Sequence, residues 1–189
     1  MRRFWLALTD ARLKVVLKTL RASGPGLGEL VKNPGAAPAF FRPLRAGIRR
    51  TYSAAPSAFP ASSQALVAAE DFTARLEKFF SDLALHKTPP DAAAREALLY
   101  LQQACAEAPG LLSLSGRAGA SAEIRGLCAG ARKSLALARA ACLPAGRQSS
   151  GSFTCSFTQN LKFGSIYSGL DAVFDAYERC AEALYRIPS

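Results

Sequence analysis

Four stretches of this chain repeat apolar residues at alternating spacings of three and four. The first is Ala69, Phe72, Leu76, Phe79 and Leu83, and the second is Ala94, Leu98, Leu101, Cys105 and Ala108. The third is Ile124, Cys128, Ala131, Leu135, Ala138 and Cys142; the fourth is Ile166, Leu170, Val173, Tyr177, Cys180, Leu184 and Ile187. Pro109-Gly110, Pro144 and Pro188 close the last three. An average period of 3.5 residues puts an apolar stripe on each helix and favours left-handed, near-antiparallel packing. The expected fold class is therefore all-α, an up-down four-helix bundle over about residues 64–186.

Start signals accompany the stripes. In Thr88-Pro-Pro-Asp91, Thr88 is placed to cap, Pro89 to occupy the first helical position and Asp91 to complete a capping pair. Ser121 is the expected cap of the third helix, and Ser168 with Asp171 a capping box in the first turn of the fourth. A tight turn near Lys87 joins the first two helices, 109–120 is a moderate loop, and 144–164 is a long one. Within that last loop Phe153, Cys155 and Phe157 alternate with Thr and Ser, as in a short strand.

Charge divides the chain differently. Residues 1–51 carry 11 Lys or Arg against Asp10 and Glu29, whereas 52–189 carry 13 basic and 12 acidic residues. The overall excess of +10 thus belongs almost wholly to an N-terminal arm. Two units are expected: a basic arm, 1–61, for import or partner binding, and a helical bundle domain, 62–189. In the arm, Leu6, Leu13, Val16, Leu17 and Leu20 share one helical face, and Lys14, Lys18 and Arg21 another. Gly24-Pro-Gly26, Asn33-Pro-Gly35, Pro38 and Pro43 then predict an extended, mostly irregular stretch over 23–60.

An Arg-rich, acid-poor amphipathic helix at an N-terminus is the physical signature of a mitochondrial import segment, with a plastid transit peptide as its rival. Arg50-Thr-Tyr-Ser53 lies where the charge excess ends and resembles the Arg-x-Tyr/Ser sites at which matrix proteases remove presequences, so Tyr52 and Ser53 are the expected processing site. Localisation is read as the matrix or the matrix side of the inner membrane. No run approaches the roughly 18 uncharged apolar residues of a membrane span.

Catalytic motifs do not emerge. There is no G-x-S-x-G or Ser-x-x-Lys, and Gly24-Pro-Gly-Leu-Gly28 lacks the Lys-Ser/Thr end of a phosphate loop and follows a helix rather than a strand. One histidine, His86, has no ligand partners at metal-site spacing. Cys105, Cys128, Cys142 and Cys180 fall on the inward stripes and read as buried thiols suited to a reducing compartment, while Cys155 is in the loop. Asp171, Asp175, Glu178 and Glu182 line the outer face of the last helix, solvated or paired to a basic neighbour. Leu184-Tyr-Arg186 spells a tripeptide found in a family of small mitochondrial helical adaptors, but there it opens the first helix and here it ends the last, so it carries no resemblance.

The functional expectation is a non-catalytic accessory subunit of a large mitochondrial membrane assembly, ATP synthase or a respiratory complex, with no cofactor and no metal. Its partners would be other protein subunits and, peripherally, anionic lipid. The residues assigned to partner binding are Phe4, Trp5, Arg12, Lys14, Lys18, Arg21, Phe40 and Phe41 in the arm, and Phe153 and Phe157 in the loop. Two alternatives stand: a mitochondrial ribosomal protein whose basic arm contacts rRNA, and a ligand-binding bundle using Tyr100, Tyr167, Tyr177 and Tyr185.

Overall fold

The architecture turns on a second buried row in the first striped helix. Beside Ala69, Phe72, Leu76, Phe79 and Leu83, the residues Ser62, Leu66, Thr73 and Phe80 are also buried. A helix buried on so wide an arc needs neighbours on more than one side. The computed structural model describes residues 10–54, 60–113, 115–142 and 153–187, with backbone alone for 54, 142 and 153–160. Six α-helices pack together in it, with no strand among the described residues: α1 (Ala11–Lys32), α2 (Ala37–Ala54), α3 (Pro60–His86), α4 (Ala92–Glu107), α5 (Arg117–Cys142) and α6 (Phe153–Tyr185). Short 3₁₀ turns, Pro34–Ala36 and Ala108–Leu112, link α1 to α2 and follow α4.

Helix α3 is central. It packs most extensively on α6 and also carries α1 and α2, while α4 lies against α5 and α1. Side-chain ties fix the directions. Arg179 meets Asp71 at 2.6 Å, and Gly169 faces Phe79, so α6 runs antiparallel to α3. Ser134 donates to Glu96 at 2.7 Å and Gly130 faces Tyr100, which sets α5 antiparallel to α4. Although α3 and α4 are consecutive, they pack little on each other, because α1 lies against both. The four striped helices therefore do not close a core on their own. Leu13, Val16, Leu20, Leu27 and Leu30 of α1, and Ala37, Phe41 and Ile48 of α2, belong to the same buried cluster as the four stripes.

The expectation of an irregular 23–60 is corrected: helix continues through the glycines and prolines of α1 and α2. The physical reason is the side on which each residue falls. Gly24 is buried, and a Cβ there would lie 3.4 Å from the Gln102 carbonyl oxygen and 3.5 Å from Cys105 Cβ, so its lack of a side chain lets α1 approach α4. At Gly26 a Cβ would overlap the ring of Phe40, which reaches across from α2. Pro25 and Pro43 lie on the exposed side, where the carbonyl that loses its helical donor faces water. Burying five leucine- or valine-sized side chains of α1 outweighs the roughly 3 kcal/mol that an interior proline costs. Buried Ser23 is satisfied locally, its hydroxyl donating to the Thr19 carbonyl at 2.9 Å.

Several boundaries also move. Asp91, not Thr88, caps α4, accepting from the Ala94 N–H at 2.8 Å; Thr88 donates instead to the His86 carbonyl. Helix α5 begins at Arg117, before Ser121, and α6 at Phe153, so Ser168 and Asp171 are interior and the short strand expected over Phe153–Phe157 is helix. Alternation of aromatic and hydroxyl residues over five positions fits a helix start as readily as a strand. Lys87, at φ 47°, ends α3: its N–H donates to the Ala84 carbonyl, and that of Thr88 to the Leu83 carbonyl. That pair of bonds is a left-handed helix stop, usually made with Gly. Leu6, Pro144, Pro188 and the 144–152 part of the expected loop lie outside the described residues.

The close approach at Gly24 yields a paired test. Gly24→Ala should change stability by less than about 1 kcal/mol, since the snug Cβ and the better helix propensity oppose each other. Gly24→Leu should destabilise by about 2 kcal/mol or more by forcing α1 off α4. Urea midpoints of the full chain read both.

Candidate docking surface

Packing of α1 uses up its apolar side and turns Lys14, Lys18 and Arg21 outward, at intervals of four and three along the helix. None of the three has a carboxylate within ion-pair distance among the described residues, and Arg42 on α2 is exposed in the same way. Lys32 prolongs the α1 row and meets Glu29 at 3.2 Å, both side chains being three-quarters exposed or more (74% and 79%).

Elsewhere, opposite charges meet between helices. On α6, Asp175 and Glu178 share Arg132 of α5 at 2.7 Å each, and Asp171 pairs with Arg139 one α5 turn-pair further on. Of the carboxylates expected on the outer face of this helix, Asp171, Asp175 and Glu178 are thus turned to a basic neighbour, while Glu182 pairs with Arg186 just past the end of its own helix. Burial lowers the pKa of Arg132, but the hydrogen bond it donates to Asp175 and the charge of Glu178 outweigh it, so the net shift is upward. Arg45 and Arg49 of α2 are held by Glu77 and Glu70 of α3, each at 2.7 Å. On α3, burial would raise the Asp71 carboxyl, yet hydrogen bonds from Arg179 and Arg75 hold it below its ordinary value.

The expected partner-binding residues separate into groups. Lys14, Lys18 and Arg21 lie together on one exposed row. Arg12 is turned inward along the hairpin: it donates to Ser63 Oγ and to the Tyr52 carbonyl and lies 5.5 Å above the Tyr52 ring. Phe41 is fully buried and Phe40 packs edge-on against it at 4.9 Å; both serve the core, because α2 is a helix with an inner face rather than a free strand of chain. Phe4 and Trp5 lie outside the described residues. Phe153 and Phe157 are in the first turns of α6, and their side chains are likewise outside. Tyr52, 55% exposed, and Ser53, whose hydroxyl donates to the Arg49 carbonyl at 3.2 Å, sit in the last turn of α2.

The tyrosines do not converge. Tyr177 donates to the Ala104 carbonyl across α6 and α4, and Tyr167 to Asp91. Tyr185 lies under Arg117, and Tyr100 packs over Gly130. Each ties two segments together, and none serves as a polar handle in a shared cavity. Two recesses flank α6 among the described residues: about 570 Å³ between α3 and α6, beside Val67 and Arg179, and about 470 Å³ beside Ile124 and Tyr185. No set of three or more His, Cys, Asp or Glu among the described residues could hold a metal ion, and no described helix is long and apolar enough to cross a membrane.

Cys105, Cys128 and Cys180 are buried free thiols on three different helices. Burial pushes Cys180 up to about 12, and Cys128, with Glu178 beside it, to about 12 as well; Cys105 goes higher still. The side chains of Cys142 and Cys155 lie outside the described residues. Comparison with protein-family models, with curated proteins and with solved structures returned no match.

Two outcomes follow from these environments. Asp71 has a lowered folded-state pKa, so its contribution is present above the unfolded value near 4 and fades as pH falls through the folded one. Asp71→Asn should therefore cost about 0.5–1 kcal/mol at pH 7 and flatten the loss of stability below about pH 4, measured by urea melts across pH. At pH 8, a thiol reagent with peptide mapping should leave Cys105, Cys128 and Cys180 unlabelled in the native chain and label all three in urea.

Proposed function

We propose that the protein is a non-catalytic accessory subunit of a large mitochondrial membrane assembly, with ATP synthase or a respiratory complex as host, docked through the outward row of α1. One observation carries the reading: Lys14, Lys18 and Arg21 form a cationic row without carboxylate partners among the described residues, on a helix whose apolar side is committed to the core. Such a row recognises a negatively charged surface. Its apolar residues being inside, α1 of the folded chain lacks the face with which an amphipathic helix enters a bilayer, which favours an acidic protein subunit over lipid as the principal contact. Helices α3–α6, taken as the bundle scaffold, present this row on a rigid body. The Arg-rich N-terminal helix supports import, and with it a location in the matrix or on the matrix side of the inner membrane.

Affinity purification from detergent lysates of isolated mitochondria tests the reading, with purified, folded wild-type chain as bait beside purified Lys14→Glu/Lys18→Glu/Arg21→Glu. The expected result is a discrete set of membrane-complex subunits, lost or at least tenfold depleted with the triple variant, whose far-UV circular dichroism is unchanged. Recovery of ribosomal RNA, with a steep salt dependence, would favour the ribosomal alternative. Recovery of the same subunits with the triple variant would remove α1 from the interface.

A further inference from the structure

The apolar side that makes α1 look like an import helix is the same surface that fills the space beside α3 and α4. Leu13, Val16, Leu20, Leu27 and Leu30 are at most 2% exposed. Gly24 lies against α4, and α2 is tied to α3 by Arg45–Glu77 and Arg49–Glu70, while Arg12 reaches Ser63. An amphipathic helix is recognised by laying its apolar face into a groove or membrane. Folding removes that face.

From this we infer that the N-terminal segment is an address readable only before folding, and that residues 11–54 then remain as a permanent part of the mature core instead of being cut away at Tyr52–Ser53. The inference rests on the mitochondrial reading above for the address, and on the packing alone for retention. The Arg50–Ser53 motif lies in the last turn of α2, and Thr51 and Ser53 donate their hydroxyls back to the Gly47 and Arg49 carbonyls. Protease subsites bind extended chain, so this turn must unwind before cleavage. Cleavage would also strip α3 and α4 of helices that pack on them, leaving Cys105, which lies against Gly24, next to newly exposed surface. A basic import-type segment with so much of its apolar surface committed to the domain serves two successive roles, first as address and then as wall.

Three measurements on the full chain decide it. In the first, a specific protease site is placed between Ala54 and Pro60 and cut after folding. The two pieces should co-elute and melt as one cooperative unit; a soluble 60–189 piece that separates with native circular dichroism would overturn retention. In the second, mass spectrometry of the protein from mitochondria should find peptides from α1 and α2 in the mature chain, and a mature start at Tyr52 or Ser53 overturns the inference. In the third, urea-unfolded chain should enter isolated mitochondria at least tenfold faster than prefolded chain, and equal rates would refute the masking of the address. Absence of the protein from mitochondria, with no import in either state, would instead sink the mitochondrial reading and leave the nicked-chain result to judge the packing by itself.

Discussion

The contact of α1 with α3 on one side and α4 on the other is the constraint on which the rest depends. It explains why α3 is buried over so wide an arc and why two helices adjacent in sequence pack little on one another. It also limits position 24, in the middle of a helix, to a small residue. At Gly24 the backbones of α1 and α4 come close enough that a Cβ would touch the Gln102 carbonyl. Dispersion and hydrophobic burial over α1 are gained only at that separation. The antiparallel pairing of α5 with α6 by Arg132 and Arg139 is a secondary device, partly exposed and worth correspondingly little to stability.

The striped part of the fold was legible in the sequence because its periodicity is long and uninterrupted. The stripe from Ile166 to Ile187 is buried at every predicted position, as is that from Ala69 to Leu83. The N-terminal part was not, because Gly and Pro signal breaks locally and only the packed structure shows which side of a helix they occupy. Continuing the α1 stripe past Leu20 to Leu27 and Leu30 would have carried the helix through Gly24-Pro25-Gly26, and Leu66, Thr73 and Phe80 signalled that α3 needs a second neighbour. Local dipeptides were given precedence over a period that spans them.

The cationic row of α1 was legible in part for the same reason. Lys14, Lys18 and Arg21 share a helical face by spacing alone, and the structure leaves them outside. Arg12 and Phe41 differ because their partners, Ser63 and Tyr52 for the one and the buried cluster for the other, come from tertiary packing that local spacing does not encode. The three buried thiols were readable from the stripes, whereas the dispersal of the tyrosines depends on where α4, α5 and α6 meet.

The unequal matching of charges has a consequence for encounter. Among the described residues, acidic side chains of α3 and α6 are largely engaged by arginines, while Lys14, Lys18 and Arg21 of α1 have no carboxylate at ion-pair distance, so that row keeps its charge unmatched. A molecule built this way has a permanent electric moment. In the field of an oppositely charged surface such a moment experiences a torque, so under the docking proposed above the α1 side would turn toward its target before contact.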